Sequence, residues 1–125
     1  MEVLLDTSFM ISCLNNRISF DLIEEKFGRI VVPIQVIREL ENISKDKNQK
    51  LKDRDAASLA LKIVEKLDYK KIDLSTKEVD EGIISYVEDK DIIVATLDKG
   101  LKMNLRGKKV LIITNFKKLV LNSKV

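Results

Sequence analysis

The chain has 125 residues, with 23 Lys and Arg against 20 Asp and Glu, one cysteine and no histidine. The missing imidazole excludes a Ser-His-Asp triad, a Cys-His pair and any histidine metal ligand, and a lone Cys13 excludes disulfide frameworks and cysteine-rich zinc sites. Chemistry is left to carboxylates, hydroxyls, Lys and Arg, backbone amides and a metal held by oxygen.

The length suits one domain over residues 1–125. Short apolar runs alternate with helical patterns along the whole of it. Val3-Leu4-Leu5, Ile30-Val31-Val32, Ile92 to Ala95 and Val110 to Ile113 are brief, branched and apolar on both faces, as parallel strands covered by helices are. Tyr69 to Asp73 is a weaker fifth strand. Between them, Leu22, Ile23 and Phe27 mark a helix, and Pro33 opens another carrying Val36, Ile37, Leu40 and Ile43. Residues 45–54 hold a single apolar residue, Leu51, and read as a solvated loop or frayed helix start. The helix Leu51 to Leu67 follows, with Ala56, Ala60, Ile63 and Leu67 on one face. Ser75-Thr76-Lys77-Glu78 has the form of a capping box before a helix that turns Val79, Ile83, Tyr86 and Val87 inward. A short basic helix follows Asp98. This order implies a three-layer α/β/α sandwich with a mainly parallel sheet. No apolar run approaches the ~18 residues of a membrane helix, and Met1-Glu2-Val3 begins a strand rather than a signal peptide, so a cytoplasmic protein is expected. Cys13 is expected to be a small buried hydrophobe.

Open α/β sheets bind ligands outside the carboxyl ends of their strands. There the sequence places Asp6-Thr7-Ser8, Thr96-Leu97-Asp98 and Thr114-Asn115. Taken singly, Asp6 and Asp98 read as helix N-caps, and Glu39 and Asp80 as charges flanking a buried helix face. Together, four acids at one end of a sheet repel each other unless cations neutralise them. Hard divalent cations take oxygen ligands, and one or two Mg²⁺ or Mn²⁺ ions on such carboxylates drive phosphodiester hydrolysis without histidine. Asp89 and Asp91 stand at the opposite end of the Ile92 strand and are discounted.

LLDTSFMI at 4–11, VPIQVIRELENI at 32–43, VDEGI at 79–83 and IVATLDKGLKMNLR at 93–106 resemble, in order, the successive motifs of PIN domains, a family of metal-dependent ribonucleases. The Val94-Ala95-Thr96-Leu97-Asp98 stretch with Leu101-Lys102 looks most like the branch of ribosomal-RNA-processing endonucleases, and toxins of toxin–antitoxin pairs share the fold. The resemblance implies that Asp6, Glu39, Asp80 and Asp98 are the catalytic, metal-holding acids. It puts Thr7, Ser8 and Thr96 in hydroxyl positions near metal or substrate phosphate. Glu81 adjoins Asp80 and is an alternative ligand. Gly82, inside the same helix, lets another backbone or a substrate approach, or is neutral.

Residues 98–125 hold eight Lys and Arg against one acid, a net +7, while the rest of the chain carries −4. An acidic pocket beside a basic segment suits a polyanion. Lys99, Lys102 and Arg106 recur at helical spacing next to Asp98 and are the chosen phosphate contacts. Only six aromatic residues are available, which argues against sequence readout by stacking. The reading is therefore an endoribonuclease acting on RNA, expected to be single-stranded. The alternative is a catalytically weak RNA- or protein-binding module in ribosome assembly or beside an antitoxin. The resemblance also makes a homodimer plausible. Position 8 is Ser8 rather than the second acid of a haloacid-dehalogenase phosphatase, and the four glycines form no phosphate-binding loop, so no nucleotide cofactor is expected.

Overall fold

The structure, a computed structural model, describes residues 1–123. Strand β1 (Glu2–Leu5) leads into α1 (Thr7–Asn15) and α2 (Phe20–Lys26). Next come β2 (Arg29–Pro33), α3 (Ile34–Lys45), α4 (Leu51–Leu67) and β3 (Lys70–Ile72). Helix α5 (Val79–Val87) precedes β4 (Ile92–Ala95), α6 (Lys99–Met103), β5 (Lys109–Ile113) and β6 (Leu119–Ser123). The six strands form one sheet in the order β3-β2-β1-β4-β5-β6. All neighbours pair in parallel except β5 and β6. Strand β6 was not foreseen; a turn at Thr114–Lys118, with Lys117 at φ 61°, folds it back antiparallel on β5.

Alternation along the strands divides the interior into two cores. Val3, Leu5, Ile30, Val32, Ile93 and Ala95 face a large core shared with α1 to α4, and Leu4, Ile92, Val94 and Val110 face a smaller one under α5 and α6. The sheet thus lies between two helical layers, as expected. Cys13 is sealed in the larger core, and burial pushes its thiol up to about 12. Among the described residues, no helix is long and apolar enough to cross a membrane.

The connection from β1 to β2 leaves on one side of β1, whereas the chain returning from β3 enters β4 on the other. Loops therefore diverge at the carboxyl ends of β1 and β4, which opens a crevice there. Helix α3 reaches it through the order its sequence dictates. Pro33 ends β2 as the residue before α3, Val36 and Leu40 are buried, and Glu39 falls on the border of that stripe.

The approach to α5 differs from the expected capping box. Ser75 adopts φ 62°, and Glu78, not Ser75, is the N-cap of the helix, without a side-chain bond. The preceding loop is organised by other groups. The Ser75 amide donates to Asp73 (2.8 Å) and the Glu78 amide to the Thr76 hydroxyl (3.2 Å). Buried Gln35 of α3 donates to Asp73 (2.7 Å) and accepts from the Leu74 amide (3.1 Å), which ties this loop to α3. Within α5, Ile83 and Val87 are buried as expected. Tyr86 instead stays half-exposed, with the Lys90 ammonium 4.2 Å from its ring centre.

Gly82 serves the close approach: a Cβ there would sit 2.8 Å from Thr76 Cγ2 and 2.9 Å from Leu74 Cβ. Gly82→Ala is therefore expected to lower stability by about 1 kcal/mol. Overpacking of about 1–3 kcal/mol outweighs the gain in helix propensity, which is at most ~1 kcal/mol. Urea denaturation measures the difference, and a stabilised variant contradicts this account of the α5 contact.

Candidate active site

Asp6 extends β1 by one residue, its amide donating to the Ala95 carbonyl of β4 (3.1 Å). Its side chain then caps α1, because Oδ1 accepts from the Phe9 amide (2.9 Å) and the Ser8 hydroxyl (3.1 Å). Oδ2 accepts from the Thr96 hydroxyl. Only 5% of the residue is exposed. Burial, which disfavours the charged form, raises the carboxyl to about 6 against the opposing pull of its three donors, and nearby Asp80 raises it further. Thr96, fully buried, also accepts from the Asp98 amide (3.1 Å). Asp98 in turn caps α6, accepting from the Leu101 amide (2.9 Å). The N-cap readings of Asp6 and Asp98 are thus correct and coincide with their place at the crevice.

Glu39 is exposed and accepts from the Thr7 hydroxyl, which joins α3 to the first turn of α1. Asp80 stands in the first turn of α5. Its carboxyl is held above the usual range by partial burial first, then by repulsion from Asp98 and Glu39. Four acids delivered by four different elements therefore share one electrostatic environment. Asp6, Glu39, Asp80 and Asp98 line one end of a cavity of about 560 Å³, together with Thr7 and Ser8.

Every donor at that end is an oxygen, which suits Mg²⁺ or Mn²⁺. Among the described residues, no three acids converge closely enough to enclose one ion. Mg²⁺, which ordinarily keeps several waters and takes one or two carboxylates, does not require such a cage.

Other expected contacts fall elsewhere. Thr96 lies behind Asp6, where its hydroxyl orients the acid instead of facing the cavity. Lys99 and Lys102 of α6, and Arg106 beyond its end, are not among the residues that line this cavity. Arg106 borders a separate depression with Glu81, Glu88 and Lys108, and Glu81 does not line the cavity of the four acids. Conversely, sequence reasoning missed the far end of the cavity. Ser12, Asn15 and Asn16 of the α1 region meet Gln49, Lys52 and Asp53 there. The signal was available in α1, since Ser8, Ser12 and Asn16 recur every four residues. Lys52 and Asp53 were hidden in a stretch read as solvated; Asp53 in fact accepts from the Asn15 amide (3.0 Å).

The family model described as PIN like domain matches residues 3–118, and the chain belongs to this family. PIN-like domains form a nuclease-type superfamily. No curated protein matches the chain.

The elevated Asp6 carboxyl fixes a pH dependence. The folded state binds its proton more tightly than the unfolded chain between about pH 4 and 6, so this group lowers stability as pH rises through that window. Asp6→Asn, which keeps a cap acceptor and a neutral side chain, is expected to match the wild type near pH 4. At pH 7 it should exceed the wild type by up to about 3 kcal/mol. Denaturant titrations across pH 4–8 test this; parallel curves for the two proteins contradict it.

Proposed function

We propose that the chain is a metal-dependent endoribonuclease that hydrolyses phosphodiester bonds in single-stranded RNA. The observation that supports this reading is the convergence of Asp6, Glu39, Asp80 and Asp98 on one open crevice at the switch point of the sheet, with Asp80 electrostatically strained by two of the others. Maintaining such a set of carboxylates costs stability, and cation binding offsets that cost. When bound, Mg²⁺ or Mn²⁺ supplies positive charge for the scissile phosphate and makes water acidic enough to attack near neutral pH.

The chain's own residues prepare this chemistry. Thr96, Ser8 and the Phe9 amide hold the Asp6 carboxylate in one orientation, and Thr7 does the same for Glu39. Anchoring at the ends of β1 and β4 and on α3 and α5 puts the acids on regular elements, which position groups more closely than free loops do. Lys52, at the cavity wall, offers a flanking phosphate its counter-charge.

Labelled single-stranded RNA should be cut in Mn²⁺ or Mg²⁺ and left intact in EDTA. The double variant Asp6→Asn/Asp98→Asn keeps both N-cap acceptors and is expected to lose about a hundredfold or more in rate. Mn²⁺ should also raise the melting temperature of the wild type more than that of the variant. Identical cleavage traces for the two proteins overturn the nuclease reading.

A further inference from the structure

The end of the cavity away from the acids has its own chemistry. Helix α1 presents Thr7, Ile11 and Asn15 at four-residue intervals, a line that runs about 12 Å from the carboxylates. Half-buried Ile11 and Ile43 supply apolar walls. Two amides at this end are fixed in one sense. The Asn15 Nδ2 donates to the Asp53 carboxylate (3.0 Å), which can only accept, so the Asn15 carbonyl oxygen is turned away from Asp53. The Asn16 Nδ2 donates to the Ser12 carbonyl (2.8 Å) and the Ser12 hydroxyl (3.1 Å), which uses both of its protons and leaves Oδ1 as the group on offer. An apolar seat with a few oriented polar groups is the usual design of a small-molecule or base pocket.

We propose that this end of the cavity seats one nucleobase of the RNA and selects bases that carry an exocyclic amine, taking cytosine over uracil among the pyrimidines. The inference rests on the ribonuclease reading for the identity of the polymer. Cytosine and uracil have the same ring size, and at C4 they differ in presenting an amine donor or a carbonyl acceptor. Oriented amide oxygens accept from the first and repel the second. Asp53 acts as a positioning residue: it does not touch the base but sets which end of the Asn15 amide does.

The test is the ratio of affinities of the full chain for fluorescent oligo(C) and oligo(U) of equal length, read by anisotropy in EDTA. A cleavage map of mixed-sequence RNA in Mn²⁺ accompanies it. Oligo(C) is expected to bind about tenfold tighter. Asn15→Ala removes one of the two acceptors, and Asp53→Asn frees the Asn15 amide to turn over; each should lower the ratio well below the wild-type value, and Asn15→Ala/Asn16→Ala should bring it close to one. Because the readout is a ratio, a uniform loss of folded protein does not imitate the effect. Equal affinities, a preference that these variants keep, or no binding of either oligomer overturns the proposal. A chain that prefers oligo(C) yet cuts nothing in Mn²⁺ overturns the nuclease reading and leaves base selection standing. Cleavage at cytidine and uridine alike, without a binding preference, does the reverse.

Discussion

The bond network of one buried carboxylate organises this end of the molecule. Asp6 is bonded through its backbone to β4, through Oδ1 to the first turn of α1 and through Oδ2 to Thr96. Thr96 passes the connection on to the Asp98 amide. Two neighbouring strands and the helices that follow them are therefore registered against each other by a single side chain. A carboxylate in this position is costly to bury, and three donors only partly offset the cost. Removing any one of them leaves the others facing an under-solvated charge.

The same arrangement explains why structural and chemical roles are inseparable here. A helix N-terminus attracts negative charge and offers unpaired amides. An acid that caps such a helix at the carboxyl end of a strand is already aimed at the crevice where loops diverge. Asp6 and Asp98 meet both demands. Glu39 and Asp80 arrive differently, on the rims of amphipathic helices; Glu39 is steadied by Thr7 of α1, and Asp80 follows the loop that leads into α5. The link from Gln35 to Asp73 and Leu74 fixes the segment that precedes α5 relative to α3. Gly82 lets α5 settle against it.

Much of this was legible in the sequence because it is local. Strand cores such as Val3-Leu4-Leu5 and the caps at Asp6 and Asp98 follow from short-range pattern and bonding. Four acids could be assigned to one site because each sits at a position set by its own element. What was not legible depends on distant pairings. Strand β6 carries a run, Leu119-Val120-Leu121, as short as those of β1 and β2, and its place is set by the turn at Thr114–Lys118 that docks it antiparallel on β5. The loop before α5 imitates a capping box in residue types, yet Gln35, nearly 40 residues upstream, organises it differently. Lys99, Lys102 and Arg106 looked adjacent to Asp98 in sequence, but none of the three lines the cavity, and Arg106 lies beyond the end of α6. Polar residues around 45–54 resemble ordinary solvated chain until α1 is seen to pack against α4.

The sheet order constrains what the edges of the sheet could accept. One edge is β3, three residues long, with exposed Lys70 and Lys71, and Lys70 is paired with Glu2 at 2.9 Å. A foreign strand would find a ladder too short to hold it and would have to bury lysines in doing so, the usual protection against runaway strand addition. The other edge, β6, is longer, and its Val120 and Leu121 are partly open to solvent. Polymerisation through the sheet needs two receptive edges per molecule, and this fold has one. Strand-on-strand association, were it to occur, would stop at a closed pair, β6 against β6.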